Sequence, residues 1–115
     1  MMRLDDLVEQ IATLQRSDLE DWIREELVEP RQDAEALLFT DIECARVRLI
    51  CTLRYELEIE AETLPVVLSL IDQLYDTRQR LRSLTAAVTM QDKSVQATII
   101  DAMRRGDGNS APDEA

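Results

Sequence analysis

Apolar side chains recur at intervals of three and four residues in four separate segments of this chain. This spacing gathers them on one face of an α-helix, and it predicts helices at about residues 4–14, 17–28, 41–58 and 64–88. Little chain remains between these segments for a sheet, so we expect at most a two-stranded hairpin at about residues 29–39. The pattern therefore predicts a mainly α protein.

Sequence signals also mark where three of these helices begin. A capping box places Ser or Thr at the start of a helix and Glu three residues later, so that each side chain accepts a hydrogen bond from the other residue's free backbone N–H. This spacing occurs at Ser17 and Glu20 and again at Thr40 and Glu43. Pro65 falls in the first turn of the fourth segment, where its missing N–H costs no hydrogen bond. These residues predict the N-termini of the second, third and fourth helices.

The fourth helix changes character along its length. Its apolar face is broad up to about residue 75 and then narrows to a stripe interrupted by an arginine, which is typical of a pairing seam. We therefore predict a homodimer, parallel or antiparallel, through this helix. The predicted interface residues are Val67, Ile71, Leu74, Arg78, Leu81 and Val88.

Two regions follow from these patterns. Residues 1–89 form one helical domain, in which the only tryptophan, Trp22, is in phase with Leu19 and Ile23 and is expected in the core; a partly exposed binding anchor is the alternative. Residues 90–115 form a C-terminal extension, with a short helix at about 94–105, a stop at Gly106 and a tail of disordered composition.

The charge of the chain restricts its partners. It carries 24 acidic and 13 basic residues and no histidine, for a net charge of −11, and residues 1–40 hold four arginines against eleven acidic residues. The outer face of the second helix shows Asp18, Asp21 and Glu25, where a DNA-reading helix needs Arg, Lys, Asn or Gln. The sequence therefore disfavours a nucleic acid and favours a basic protein as the partner.

The sequence contains no pattern that indicates catalysis or a cofactor. It has no nucleophile beside a base and no glycine-rich phosphate loop, and its clustered carboxylates lie in solvated contexts. Cys44 and Cys51 are seven residues apart in one helical segment, too far to bridge, and no histidine or third cysteine joins them to bind zinc. No apolar run reaches 18 residues, so we expect a cytoplasmic protein with no enzyme activity, metal, membrane span or signal peptide.

Three stretches carry a resemblance to a known family. They are "LVEPR" at residues 27–31, Phe39 just before the capped "TDIE", and "LRYELEIEAETLPVVLSLIDQL" at residues 53–74. In this order and spacing the chain resembles the chaperone-modulator CbpM family from about residue 7 to residue 84. The resemblance implies a reduced MerR-like winged helix-turn-helix with two further helices, the last one extended and pairing in a dimer.

The chain also departs from the family pattern. Glu62 and Thr63 stand where relatives commonly have a Pro-Gly pair, no aromatic residue lies near Leu37, and the segment from Met90 onward is extra.

The resemblance implies a function that needs no catalysis. Members of the family bind the J-domain of a DnaJ- or CbpA-like co-chaperone and inhibit its action on Hsp70. Combined with the charge pattern, it predicts partner binding through Asp18, Asp21, Glu25 and Arg31. A MerR-type DNA-binding transcriptional regulator is the first alternative, and a dimeric scaffold without a J-domain partner is the second.

Overall fold

A computed structural model of the protein describes residues 1–109. Within this range the chain is mainly helical, as predicted, with a small antiparallel sheet. The strands are β1 (Met2–Arg3), β2 (Arg31–Asp33) and β3 (Ala36–Phe39), and the helices are α1 (Leu4–Gln10), α2 (Arg16–Arg24), α3 (Asp41–Cys51), α4 (Leu64–Thr89) and α5 (Lys93–Asn109). A π-helical turn, Thr52–Glu56, continues α3.

The chain divides into two compact units, Met1–Ile71 and Asp72–Ala115. All the buried apolar side chains of the described residues belong to the first unit, and Trp22, at 4% exposure, is one of them. The prediction that Trp22 lies in the core is therefore confirmed. The core comprises Leu7, Ile11, Leu14, Leu19, Trp22, Leu27, Val28, Phe39, Val47, Ile50, Cys51, Leu53, Leu64 and Leu68.

The sheet has one strand more than the predicted hairpin. β2 and β3 are joined by a two-residue loop, and β1 pairs with the other edge of β3, placing Met2 opposite Phe39. The limit of two strands was therefore wrong. A two-residue strand shows no alternation in the sequence, and it forms here because β3 offers it a free edge.

The first two helices are shorter than their apolar patterns. α1 ends at Gln10 because Ile11 adopts an extended backbone conformation, yet Ile11 and Leu14 remain buried in the turn that comes next. α2 begins at Arg16 with Gln15 as its N-cap residue and no side-chain cap. The predicted cap at Ser17 was therefore wrong, because Ser17 lies inside the helix.

The end of α2 is a Schellman motif built without glycine. Leu27 N–H donates to the carbonyl of Trp22 at 2.9 Å, and Glu26 N–H donates to the carbonyl of Ile23 at 3.0 Å. Glu26 takes the left-handed conformation, with φ 62°, which glycine usually fills. The helix therefore stops at Arg24 although the apolar residues continue to Val28.

α3 begins where the sequence predicts. The Thr40 hydroxyl accepts a hydrogen bond from Glu43 N–H at 3.2 Å, which confirms this cap. The regular helix ends at Cys51 and is followed by the π-helical turn, in which Leu57 N–H donates to the carbonyl of Thr52 at 2.9 Å. The predicted single helix over 41–58 is thus divided into an α part and a π part.

The second unit contains the C-terminal part of α4 and α5. The Gln96 side chain donates to the carbonyls of Thr89 and Gln91 at 3.2 and 2.8 Å, so a residue of α5 satisfies backbone groups at the end of α4. Gly106 was predicted to stop the last helix but lies inside α5, because its backbone does not adopt the left-handed conformation of a glycine stop. The predicted disordered tail covers residues 106–115; residues 106–109 are instead helical, and the rest of the tail lies outside the described residues.

Among the described helices, none combines the length and apolar character needed to cross a membrane.

Candidate functional site

The three predicted acidic residues of α2 have different surroundings. Glu25 is exposed at the C-terminal end of the helix. Asp21 is half-buried and forms an ion pair with Arg24 at 2.8 Å. The side chains of both Arg24 and Asp21 are at least half exposed, so the ion pair leaves Asp21 available to a cationic partner.

Asp18 is committed to a contact inside the first unit. The Tyr55 hydroxyl donates to Asp18 Oδ2 at 2.6 Å and accepts from Gln15 N–H at 3.3 Å. The Tyr55 ring also lies 6.2 Å from the Trp22 ring, centroid to centroid. Burial raises the pKa of Tyr55 to about 12, and its hydrogen bond to Asp18 acts in the same direction. Asp18 therefore anchors α2 to the π-helical turn.

The sequence offered only a weak signal for this contact. Tyr55 follows Cys51 by four residues in the third helical segment, the spacing of one helical face, but its partner Asp18 lies 37 residues away. Hydrogen bonds across such a distance leave no local pattern in the chain.

Two residues of α3 hold the segment that joins α2 to β2. Glu43 accepts from Glu29 N–H at 2.9 Å, and Arg46 donates to the carbonyl of Leu27. The Glu43 carboxylate is thus used for this longer contact, although the sequence predicted it as half of a local capping pair. Both contacts fix the backbone beside the exposed end of α2.

A shallow depression of about 400 Å³ lies between the end of α2 and the β2–β3 hairpin. Half-buried Ile23, Pro30 and Leu37 contribute its apolar lining, and exposed Glu26 and Glu29 also line it. The sequence predicted partner binding through residues of α2 and Arg31 but did not predict the depression, which none of those residues lines. We use the name acidic docking surface for Asp21 and Glu25 on α2 together with this depression, whose own carboxylates are Glu26 and Glu29.

Arg31, the remaining predicted partner residue, lies on β2 opposite Leu38 and is exposed. Within residues 1–109, no described ion pair joins it to the acidic residues of α2.

The predicted dimer residues do not share one environment. Val67 and Ile71 are half-buried and pack against the core of the first unit. Leu74 and Leu81 are exposed, at 52% and 60%. Leu81 and half-buried Val88 line an apolar groove between α4 and α5 in the second unit, which we call the α4–α5 groove. Arg78 lies on α4 between these two parts of the predicted seam, and its side chain is exposed.

The thiols and carboxylates of the described residues form no cluster suited to a metal ion. Cys44 is half-buried and Cys51 is buried, and both are free thiols. Burial raises the pKa of Cys51 to about 11 and also raises that of Cys44. Both side chains therefore act as neutral packing groups near pH 7.

No family model, curated protein or solved structure matches this chain. The resemblance to the CbpM family accordingly remains an expectation that rests on the three stretches of sequence between residues 27 and 74.

Proposed function

We propose that this protein is a chaperone modulator, which binds the J-domain of a DnaJ- or CbpA-like co-chaperone and inhibits its action on Hsp70. The observation that carries the proposal is the exposed acidic character of the acidic docking surface, at Asp21 and Glu25 on α2 and at Glu26 and Glu29 in the depression. The family resemblance names the partner, and the charge of the surface selects for a basic one.

The charge is concentrated in the unit that holds this surface. Residues 1–71 contain seven arginines and seventeen acidic residues, a net charge of −10, whereas residues 72–115 contain six basic and seven acidic residues, a net charge of −1. A J-domain presents a basic helix to Hsp70. The first unit would attract that helix and compete with Hsp70 for the same face.

The residues that line the depression also suit the side chains of a basic partner. Its apolar lining can take apolar side chains, and the carboxylates around it can pair with the cations that flank them. The backbone is held there by the contacts of Glu43 and Arg46, so little ordering is needed on binding.

Charge reversal at Asp21 and Glu25 tests the proposal. We expect the double variant Asp21→Lys, Glu25→Lys to associate with the cognate J-domain about 10-fold more slowly at low salt, with a weaker dependence of the rate on salt. Stopped-flow measurement of the association rate gives this result directly, and the stimulation of Hsp70 ATPase by the J-domain should recover. Asp18 is left unchanged because it holds Tyr55.

The matched control is Glu60→Lys, Glu62→Lys, which makes the same charge change at exposed positions after α3. If both double variants slow association equally, net charge alone is responsible and the docking surface lies elsewhere. If the wild-type protein does not bind the J-domain at all, the proposed function is wrong.

A further inference from the structure

The described part of the second unit has no core of its own. No side chain in residues 72–107 is buried, although the unit carries eight large apolar side chains that are more than 40% exposed. These are Leu74, Tyr75, Leu81, Leu84, Met90, Val95, Ile100 and Met103. Two helices with no fully buried side chain between them gain little from packing, so their exposed apolar surface indicates a further contact.

The exposed residues line one groove from both helices. On α4 the lining residues Leu81, Leu84, Thr85, Val88 and Thr89 follow the spacing of a single helical face. On α5 the lining residues Gln96, Ile99, Ile100 and Met103 follow the same spacing. The groove has a volume of about 590 Å³ and is predominantly apolar.

We propose that the α4–α5 groove binds the same groove of a second copy of this chain, so that two α4–α5 pairs form a four-helix bundle. This inference does not depend on the proposed co-chaperone partner. It also differs from a seam confined to α4, because α5 supplies half of the groove.

The distribution of charge favours self-association through the second unit over self-association through the first. Two first units would bring net charges of −10 together, whereas the second units carry a net charge of only −1 each. On the described part of α5, Asp101 already pairs with Arg105 at 3.1 Å, so its charges are partly balanced within the helix. Self-association through the second unit therefore meets the least repulsion.

The area available suits a dimer of moderate affinity. Full burial of a Leu, Ile or Met side chain removes roughly 100 Å² of apolar surface from water. Multiplying this area by the exposed fractions of the groove side chains and of Leu74 gives roughly 350 Å² of apolar surface that a dimer would bury in each copy. Because about 65% of a homodimer interface is apolar, the polar and apolar area buried by the two copies together is roughly 1,100 Å². This area is near the lower end for specific complexes. We expect a dissociation constant of the dimer in the micromolar range.

Analytical ultracentrifugation of the full chain tests the inference. At about 50 µM the wild-type protein should sediment as a dimer of about 26.4 kDa, twice the chain mass of 13.2 kDa. Leu84→Glu and Met103→Glu should each weaken the dimer at least about 100-fold, because a two-fold interface contains every substitution twice. Leu57→Glu, which changes an equally exposed leucine of the first unit, should leave it intact.

Alanine variants guard against loss of the helices themselves. Leu84→Ala and Met103→Ala keep a strong helix former in place and should weaken the dimer about 10-fold with unchanged circular dichroism. A wild-type protein that stays monomeric overturns the inference. So does a dimer that survives both Met103 variants, because that result confines the interface to α4.

Discussion

Replacing Tyr55 with phenylalanine removes only the hydroxyl that joins α2 to the π-helical turn. The hydroxyl donates to Asp18 at 2.6 Å and accepts from Gln15 N–H at 3.3 Å, and the ring can keep its place beside Trp22. A hydrogen bond to a charged group contributes about 1.5–3 kcal/mol to stability, and this one is only partly buried, so about 1.5 kcal/mol is appropriate. The longer bond adds about 0.5 kcal/mol.

The expected loss in the free energy of unfolding is therefore about 2 kcal/mol. For a unit of this size a urea m value of about 1 kcal/mol per molar predicts a midpoint lower by about 2 M. Trp22, the only tryptophan, lies in the core of the first unit, so its fluorescence follows the unfolding of that unit. The matched control is Tyr75→Phe at the only other tyrosine, which is 62% exposed and should change the free energy by less than about 0.5 kcal/mol.

The pKa of Tyr55 determines how the difference in the free energy of unfolding between wild type and Tyr55→Phe depends on pH. The phenol titrates near 10 in the unfolded chain and near 12 in the folded protein, so between these values the unfolded state binds fewer protons. The stabilisation is present in full below pH 10 and is lost as the pH rises toward 12. The gap between wild type and Tyr55→Phe should narrow over that window. Equal urea midpoints for the two proteins at pH 7 would refute the role of the hydroxyl.

Three further expectations come from the local structure. Glu26→Gly should stabilise the first unit by about 1 kcal/mol in urea unfolding, because glycine takes the left-handed conformation without strain; a loss of stability contradicts the assigned helix end. Thr40→Ala should destabilise it by about 1 kcal/mol through loss of the cap, and Thr40→Ser should restore most of that; an unchanged midpoint in the alanine variant would show that the cap contributes nothing. The protein should show no specific binding to duplex DNA at physiological salt, since the face of α2 presents Asp21 and Glu25; a gel shift at nanomolar concentration would instead favour a transcriptional regulator.

Local signals in the sequence predicted the parts of the fold that are held locally. Thr40 caps α3 through a bond to a residue three positions away, and Pro65 lies in the first turn of α4 as expected. The burial of Trp22 agrees with its phase relative to Leu19. Each of these features depends on neighbours within one or two helical turns.

The misplaced boundaries depend on contacts that the local pattern does not contain. α2 ends early because Glu26 accepts a strained conformation, and a sequence rule looks for glycine at such an end. At Gly106 the prediction failed in the opposite direction: a glycine was predicted as a helix end, but a glycine alone does not stop a helix and α5 continues through it. At the candidate site the acidic residues were visible in the sequence, but the commitment of Asp18 to Tyr55 was not.

The π-helical turn makes the geometry of the first unit sensitive to chain length at one point. Its bond from Leu57 N–H to the Thr52 carbonyl spans five residues, so the turn holds one residue more than an α-helical turn. Deleting a residue before Tyr55 in this turn would allow ordinary helical bonding and would leave the residues after the turn in register, but Tyr55 itself would move one position closer to Thr52 and turn around the helix axis. The Tyr55 hydroxyl would then point away from Asp18. A deletion that looks conservative as a helix would separate the two segments that the turn now joins.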